Sequence, residues 1–349
     1  MTEWKTYRLG DICTLNYGKA LTATNRVAGD IPVYSSAGIT GSHNVALVQS
    51  KGIIVGRKGT VGTVYYSDKP FYCIDTAYYI LPDDEKYDFK WLYYRLKSLH
   101  LDKLNEDSAV PGLNRETAYA QEFPLPPLEE QRWIAGILGA IDDKIENNRR
   151  INTNLELQAQ ALYKQWFVDN RSDDWEEKKL SDFFNVVTGK KDANFSTKDG
   201  VYPFFTCSQD VLNAPDYSFE GAAILLAGNG DFNVKRYIGK FEAYQRTYVL
   251  IPFDRKYHSF LYLTIKYYLQ EITGGSRGSV IKFITKGNIA DFEIAMPREN
   301  IDDKLAVLDS IYQSIDGNTA ENNNLATLRD TLLPKLMSGE LSVDDVSVD

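Results

Sequence analysis

The sequence predicts an α+β protein with two β-rich domains separated by two long antiparallel coiled-coil helices, arranged as a pseudo-two-fold internal repeat. Three observations predict this fold: the first half recurs in the second, each copy holds glycine-punctuated runs of β-branched and aromatic residues, and each copy ends in a stretch with heptad spacing. The predicted β-rich domains are residues 1–126 and 171–297, the helices are 127–170 and 298–338, and 339–349 is an acidic tail.

The internal repeat begins near the start of the chain. Residues from Trp4 onward recur from Trp175 onward, a shift of 171 residues. A repeat this long exceeds the ~20–50 residues of a solenoid unit, so we interpret it as a duplicated domain with its helix. The duplication predicts a target with two-fold character. Residues matched at this shift include Leu9 and Leu180, Asp11 and Asp182, Gly18 and Gly189, Lys19 and Lys190, and Pro32 and Pro203.

Each copy contains strand-like segments followed by a short helix. The strand segments are "KGIIVGRKGTVGTVYYS" and "FYCIDTAYYILP" in the first copy, and "GAAILLAGNGDFNVKRYIGK" and "AYQRTYVLIP" in the second. The short helices are predicted at "FKWLYYRLKSLH" and "HSFLYLTIKYYLQ", and polar loops at "DSAVPGLNRE" and "GGSRGSVIKFITKGN". Tyrosine pairs such as Tyr65 and Tyr66 could stack on bases, but aromatics at strand and helix spacing normally fill cores.

The two long helical stretches carry matching seams. Apolar or small residues alternate at steps of four and three, the spacing of a coiled coil, although two amphipathic helices lying on separate domains are the alternative. A helix of ~40 residues spans ~60 Å, so the pair would be a rigid spacer. We expect Pro334 to end or kink the second helix. The seams are Ile134, Leu138, Ile141, Ile145, Asn148, Asn152, Leu155, Ala159, Leu162 and Trp166, then Leu308, Ile311, Ile315, Asn318, Asn322, Leu325, Arg329, Leu332 and Leu336.

Four asparagines interrupt these seams at matching positions. Antiparallel pairing about the midpoints of the two stretches predicts that Asn148 faces Asn322 and that Asn152 faces Asn318. Each amide can then donate to its partner and accept from it. An unpaired buried amide would cost ~1–3 kcal/mol, so we expect these layers to fix the register of the coil.

The charge distribution restricts the function. A formal net charge of −9 argues against an independent nucleic-acid binder. The acid is concentrated in residues 127–174 (net −3) and 298–349 (net −7), whereas residues 1–126 are net 0 and 175–297 are net +1. Neutral domains can carry a basic face, so the pattern predicts DNA binding that needs help from a partner.

Other features exclude several protein classes. The N-terminal segment lacks a signal-peptide pattern, and no apolar run approaches the ~18 residues of a membrane span, which predicts a cytoplasmic protein without a membrane partner. Cys13, Cys73 and Cys207 lack CxxC spacing, which favours reduced, buried thiols. The three histidines lie far apart, so we expect no metal site.

Over nearly its whole length the chain resembles the specificity subunit of Type I restriction-modification systems. The specific matches are "PLPPLEEQRWIAGILGAIDDKIENNRRINTNLELQAQALYKQWF" and "ENNNLATLRDTLLPKLMSGELS". Weaker matches are "IPVYSSAGITGSHN", "IIVGRKGTVGTVYY" and "GSVIKFITKGNIADFEIAMP". The resemblance implies two target-recognition domains, each reading one half of a split sequence in double-stranded DNA, with helices that set the gap.

The resemblance also implies the partners. Two methyltransferase subunits would flank the chain, and restriction subunits carrying the motor and nuclease would join them. The chain itself would perform no chemistry, so S-adenosylmethionine, ATP and Mg²⁺ are expected on partner subunits only. The recognised bases, the spacer length and the methylated positions do not follow from the sequence.

The motifs of the chain are consistent with that expectation. The sequence contains neither an [N/D]PP[Y/F] methyltransferase signature nor a GxxxxGK[S/T] phosphate loop. Asp142, Asp143 and Lys144 are expected on a solvated helix face. Two alternatives stay open: an enzyme whose motifs have diverged beyond recognition, and an adaptor that joins two protein partners without binding DNA.

Candidate DNA contacts lie between strands, because loops usually carry recognition. Arginine, glutamine and asparagine can read base edges with two hydrogen bonds. The two copies differ at one such position, where Arg57 and Lys58 correspond to Gly228 and Asn229, which predicts an asymmetric bipartite site. The candidates are Lys19, Ser35, Ser36, Arg57, Lys58 and Thr60 in the first copy, and Lys190, Thr206, Ser208, Asn229, Lys235, Arg236, Gln245 and Arg246 in the second.

Overall fold

The structure is a computed structural model that describes residues 4–104, 112–230, 232–274 and 284–342. The chain divides into two compact units. The first unit comprises residues 1–147 and 321–349, and the second comprises 148–320. Each unit therefore contains one β-rich domain together with part of both long helices, so the helices do not form a body of their own.

The first unit contains three small sheets. One pairs β1 with β9 in antiparallel fashion, one has the order β2-β8-β5-β6, and one has the order β4-β3-β7. The buried run from Gly52 to Gly56 forms the β5 strand, whose apolar residues pack on both faces. The strands are β1 (Lys5–Arg8), β2 (Asn16–Tyr17), β3 (Ile31–Ser35), β4 (Gly38–His43), β5 (Gly52–Gly56), β6 (Val64–Ser67), β7 (Tyr72–Cys73), β8 (Ala77–Ile80) and β9 (Glu122–Leu125).

The core of the first unit joins its domain to the long helices. Its helices are α1 (Leu9–Ile12), α2 (Phe89–Ser98), α3 (Arg115–Tyr119) and the first part of α4 (Leu128–Lys164). Asp88 caps α2 by accepting a hydrogen bond from Trp91 N. Trp91 is fully buried and belongs to one cluster with Leu138 and Leu336, which come from the two long helices. The domain thus covers the apolar stripe of the helices beside it.

The second unit contains a six-stranded sheet of order β11-β16-β14-β15-β12-β13 and a two-stranded pair of β10 with β17. The long β15 strand makes the larger sheet possible, because its first part pairs with β14 and its end pairs in parallel with β12. The strands are β10 (Glu176–Lys179), β11 (Phe184–Thr188), β12 (Tyr202–Phe205), β13 (Val211–Ala214), β14 (Phe219–Ala227), β15 (Val234–Ala243), β16 (Thr247–Pro252) and β17 (Glu293–Met296).

The core of the second unit repeats the arrangement of the first. Its helices are α5 (His258–Tyr267), α6 (Leu269–Thr273), α7 (Lys286–Ala290), the later part of α4 and the first part of α8 (Asp302–Ser338). Phe260 of α5 belongs to one buried cluster with Tyr163 of α4 and Leu308 of α8. The π-helical turn Gln165–Asp169 continues α4 and adds the buried Phe167 to this cluster.

The predicted internal repeat is confirmed down to its strand registers. Val33 pairs in parallel with Tyr72 in the first unit, and the corresponding Phe204 pairs in parallel with Glu242 in the second. The repeated glycine has a steric cause. A Cβ atom at Gly18 would lie 2.1 Å from Ile74 O, and one at Gly189 would lie 2.1 Å from Ala243 O, so no larger residue fits at either position.

The two long helices are antiparallel, as the seam predicts. In the first unit Arg329 of α8 contacts Asp142 of α4, and Asn322 donates to Ile145 O, so numbering falls along one helix as it rises along the other. The sequence predicted that Pro334 would end or kink the second helix at its last turn, and α8 ends one turn after it, at Ser338. The last turn carries the buried Leu336 and Met337, and packing of those side chains outweighs the backbone hydrogen bond that proline removes.

The expectation of a solvated face at Asp142 is wrong. Its carboxylate accepts hydrogen bonds from Tyr94 Oη at 2.6 Å and from Arg329 Nη1 at 2.7 Å, and the two ion-paired side chains are about four-fifths buried. Burial and this hydrogen bond both raise the pKa of Tyr94. Burial alone would lower the pKa of Arg329, but its bonds to Asp142 and Asp330 raise it overall. The Asp142 carboxylate on α4 therefore links the domain, through Tyr94, to both long helices, since it also pairs with Arg329 of α8.

Candidate nucleic-acid interface

The structure separates the predicted DNA contacts into accessible and buried side chains. Lys19, Lys58 and Thr60 are exposed in the first unit, and Arg57 is half-buried. In the second unit the accessible candidates are Lys190, Ser208, Asn229, Lys235, Gln245 and Arg246. These residues stay candidates for DNA contact.

Three hydroxyl candidates are buried, and two of them, Ser35 and Thr206, make hydrogen bonds within their own turns. Ser35 Oγ accepts a hydrogen bond from Ala37 N and donates to Gly38 O. Ser36 is also buried, and Thr206 Oγ1 accepts from Ser208 N. Such short side chains commonly stabilise turns in this way. Ser35, Ser36 and Thr206 are therefore poorly placed for DNA contact in this conformation, and their role stays a prediction.

Arg236 makes internal contacts, and its predicted DNA contact stays a prediction. Its guanidinium forms two parallel hydrogen bonds with the carboxylate of Asp316 at 2.7 and 2.9 Å and lies 4.5 Å from the ring centre of Tyr312. Only 9% of the side chain is exposed. The bidentate pair ties β15 to α8, and Arg236 would have to exchange these bonds before it could read a base.

Two other candidates in the second unit make internal hydrogen bonds. Lys235 Nζ donates to Ser208 O and to Asn233 Oδ1, and burial lowers its pKa. Gln245 Nε2 donates to Asp192 Oδ1 at 2.7 Å. Both side chains must exchange these bonds before they can contact a ligand.

The first unit contains a basic and aromatic cleft, which the sequence prediction recognised only in part. The cleft has a volume of about 400 Å³ and is lined by Tyr17, Arg57, Lys58, Tyr78 and Arg115 among others. The Arg57 guanidinium lies 4.8 Å from the ring centre of Tyr17, and that of Arg115 lies 5.3 Å from it. Tyr17 thus has an arginine packed against it from two different loops.

The backbone around this cleft is the same in both units. Tyr78 Oη donates to Leu113 O at 3.1 Å, and the corresponding Tyr248 Oη donates to Ile284 O at 2.7 Å. Leu113 N also donates to Arg57 O. The second unit repeats that bond as well, from Ile284 N to Gly228 O. The duplicated framework therefore holds two loops together at equivalent places.

The side chains carried by this framework differ between the units. At the repeat shift, Tyr17, Arg57 and Arg115 of the first unit correspond to Thr188, Gly228 and Lys286 of the second. The second unit places its cations elsewhere, with Lys190 near Phe219, Lys191 near Phe195 and Lys240 near Tyr217. One backbone thus presents two different chemical surfaces.

Sequence reasoning missed Tyr17, Tyr78 and Arg115. Arg115 lies in a polar loop that the sequence identified, but residues 105–111 of that loop lie outside the described residues. Most of the matching loop in the second copy, residues 275–283, also lies outside them. A comparison of the copies at the repeat shift could have drawn attention to Arg115, because a lysine occupies the corresponding position.

The seam asparagines make hydrogen bonds within each unit. Asn318 Nδ2 donates to Asn152 Oδ1 at 2.8 Å, which is the facing pair that the antiparallel register predicts. Asn152 Nδ2 also contacts Ile315 O at 3.3 Å. Asn148 is buried, and Asn322 Nδ2 donates to Ile145 O. The pairing of Asn148 with Asn322 and the role of all four in fixing the register stay predictions.

Metal sites and membrane-spanning helices are not found in the described part of the chain. Among the described residues, histidine, cysteine, aspartate and glutamate side chains nowhere cluster in a group of three or more that could hold a metal ion. In that same part of the chain, every helix is too short or too polar to cross a membrane.

The chain matches a family model described as the Type I restriction modification DNA specificity domain. The match covers residues 1–157 and 172–327, so one copy of the domain falls on each half of the repeat. The chain belongs to this family. The predicted resemblance is therefore confirmed.

Individual relatives and a solved structure agree with this membership. The chain is 38% identical over 174 residues to the Type I restriction enzyme EcoDI specificity subunit of Escherichia coli, a segment that covers 48% of this chain and 39% of the relative. It is 26% identical over 345 residues to the MjaIX specificity subunit of Methanocaldococcus jannaschii, covering 84% of this chain and 78% of that one.

The fold resembles the crystal structure of the Type I restriction-modification S subunit from M. genitalium. The TM-score is 0.66 at 20% identity, and the similarity covers 96% of each chain. The two β-rich domains and two long antiparallel helices predicted from the sequence are therefore the fold of this family.

Proposed function

We propose that the chain is the non-catalytic DNA sequence-recognition subunit of a Type I restriction-modification complex. Each β-rich domain would read one half of an asymmetric bipartite site in double-stranded DNA. The observation that carries this proposal is the shared Tyr78–Leu113 and Tyr248–Ile284 framework, on which the two domains carry different side chains. Two domains that share a backbone framework but carry different side chains are suited to recognising two different half-site sequences.

The long helices would set the spacer between the half-sites and dock two methyltransferase subunits. Each helix has 37 residues, which corresponds to ~55 Å of length. The segments that contain them, 127–174 and 298–349, have net charges of −3 and −7, which disfavours close contact with phosphates there. Protein partners are a better match for that surface.

The chemistry would reside on the partners. Methyl transfer with S-adenosylmethionine, and ATP- and Mg²⁺-dependent motor and nuclease activity, are assigned to methyltransferase and restriction subunits. A cytoplasmic location fits the cysteines, since burial raises the pKa of Cys13 and Cys73 to about 12 and keeps both thiols protonated.

Binding by the isolated chain would be weak. The two domains have net charges of 0 and +1, which leaves little free energy from counterion release. Partners that enclose the duplex would supply the missing phosphate contacts.

The test is to express the chain with its methyltransferase partner and to map the modified sites. The expected result is a single bipartite sequence with a fixed gap, together with much tighter binding to labelled duplex when the partner is present at the same salt concentration. Methyl transfer by the chain alone, or equal affinity with and without the partner, would contradict the proposal.

A further inference from the structure

The cleft of the first unit is built around one half-exposed ring. Tyr17 is 47% exposed and lies on β2, with its ring centre 5.1 Å from that of Tyr78. The Arg57 guanidinium is held by both rings, at 4.8 and 5.7 Å from their centres. Its Nη1 atom also donates to Asp75 O at 3.1 Å, which restricts rotation of the guanidinium plane.

Arg115 approaches the same ring from a different part of the chain. It is the first residue of α3, lies 5.3 Å from the Tyr17 ring centre and 5.8 Å from that of Tyr119. Tyr119 is fixed in turn, because its Oη accepts a hydrogen bond from Leu15 N. Both guanidinium groups are therefore positioned by packing before any ligand binds, which reduces the entropy lost on binding.

The charge of the cleft selects an electron-rich ligand. Among the described residues that line it, Arg57, Lys58 and Arg115 are cations, and Glu116 is a carboxylate. Glu116 is mostly exposed and lies 3.7 Å from Arg115 Nε, which is an ion-pair distance without a hydrogen bond. An arginine with unused donors suits either a phosphate or the adjacent O6 and N7 acceptors of guanine.

The internal repeat favours the base over the phosphate. Phosphates recur along every duplex, so a framework position that serves phosphate binding would be useful in both units. At this position the second unit has Thr188 and Gly228 in place of Tyr17 and Arg57, and it keeps a cation, Lys286, only in place of Arg115. Because phosphate contacts carry no sequence information, a cluster present in only one of two equal frameworks fits a base-reading role.

We propose that Arg57 and Arg115, held against Tyr17, read the base edges of the half-site bound by the first domain, and that this half-site contains a guanine at the position they contact. This inference rests on the proposed function, since it requires that the chain recognise DNA. Arg57, Arg115 and Tyr17 are then specificity-determining residues of the first domain, and the second domain reads its half-site through other side chains.

The experiment maps the sites modified by the complex of the chain with its methyltransferase partner, for the unaltered chain and for the variants Arg57→Lys and Arg115→Lys. Lysine conserves the charge but lacks the rigid planar fork of arginine, so a phosphate contact would persist while guanine reading would weaken. The expected result is that preference for guanine at one position of one half-site falls about tenfold or more, while the other half-site is unchanged.

Matched controls separate this effect from general loss of function. Arg8→Lys alters an arginine of the same domain that lies outside the cleft and pairs with Glu122 on the surface, so it should leave the site map unchanged. Melting curves of each variant check folding. If Arg57→Lys melts earlier than the unaltered chain, Arg115→Lys supplies the same readout from a different element, α3.

Several outcomes would overturn the inference. Uniformly weaker modification at an unchanged sequence would show a phosphate contact. An unchanged site map would place the cleft outside the DNA interface. A changed preference at an A·T pair would refute the assignment to guanine. Exchange of residues 175–297 identifies the half-site that the second domain reads. If the cleft variants altered that half-site, the assignment of the cleft to the other half-site would be wrong. If the unaltered complex modified DNA without sequence preference, the proposed function itself would fail, which is a distinguishable result.

Discussion

At the scale of single residues, some polar side chains make structural contacts where a domain meets the long helices. Sequence patterns had placed these side chains in solvent or at DNA. The ion pair of Asp142 and Arg329 is the clearest example, because Asp142 also accepts a hydrogen bond from Tyr94. The carboxylate, the guanidinium and the phenol hydroxyl come from three separate elements. Removing Asp142 would leave the Tyr94 hydroxyl without its acceptor and would weaken the pairing of Arg329, which keeps only Asp330.

We predict that Asp142→Ala destabilises the first unit by ~1–3 kcal/mol, because it leaves the Tyr94 hydroxyl without its acceptor and the Arg329 guanidinium with only the more exposed Asp330 as a partner. The double variant Asp142→Leu with Arg329→Met should recover much of this loss, since it removes both charges. Denaturant unfolding of the unaltered chain, of Asp142→Leu, of Arg329→Met and of the double variant gives the coupling free energy between the two side chains. Simple additivity of the two single effects would contradict the network.

His258 supplies a second prediction, for the pH dependence of stability. The ring is buried, its Nε2 lies 3.0 Å from Ala223 O, and burial lowers its pKa below the ordinary value of 6.5. The unfolded chain then takes up a proton near pH 6.5 while the folded chain takes it up only at lower pH. The stabilisation is fully present above pH 6.5 and is lost as the pH falls below it.

The measurement is the unfolding free energy between pH 7.5 and 5, about one unit or more on either side of the histidine pKa. His258→Gln keeps a side-chain nitrogen that can donate to Ala223 O but does not titrate, so its pH slope should be smaller than that of the unaltered chain. Equal slopes would show that other groups cause the acid sensitivity.

At the scale of elements, the sequence predicted the features that local periodicity determines and failed where tertiary packing decides. The heptad spacing predicted both long helices, and α2 and α5 appear where their amphipathic segments lie. Pro334 was expected to end or kink α8, and the helix ends one turn later, but the burial of Leu336 in that turn is invisible to local reasoning. The cleft around Tyr17 escaped prediction for a similar reason, because Arg57 and Arg115 meet only after folding.

The paired asparagines give the prediction at this scale. Replacing Asn148, Asn152, Asn318 and Asn322 together with leucine should raise the melting temperature, because apolar seam residues pack better than amides, while the register of the coil becomes less defined. The same replacement at four exposed helix positions, Asn147, Asn154, Asn323 and Asn324, is the matched control and should leave the register intact.

The register is measured by the spacer of the sites that the complex modifies. A mixture of spacer lengths is expected for the seam variant and a single length for the control. A seam variant that melts earlier and keeps one spacer would show that the amides stabilise the coil without specifying its register.

At the scale of the whole molecule, the duplication predicts that the two domains act independently. Each domain packs on its own portion of the long helices, with separate cores around Trp91 and Phe260. Exchanging residues 175–297 for the equivalent segment of another family member should change one half-site and preserve the other. Sequencing of modified sites provides the test, and a change in both halves would show that the domains are coupled.

The spacer prediction rests on the same architecture. Seven residues inserted after Asn147 in α4, and seven after Ala320 in α8, add one heptad to each helix at the boundary between the two units and keep the seam in phase. The insertion lengthens each helix by ~10.5 Å. At ~3.4 Å per base pair, the gap between half-sites should grow by at most about three base pairs, and by fewer if the helices lie obliquely to the duplex.

Both half-sites should keep their sequences, because neither domain is altered. Inserting seven residues in α4 alone is the matched control: it leaves the seams of unequal length, so the complex should lose modification without acquiring a new spacer. If the doubly extended chain modified DNA at the original spacing, the helices would not determine the gap. The distance between half-sites would then have to be set by the methyltransferase partners, which would hold each domain on its half-site independently of helix length.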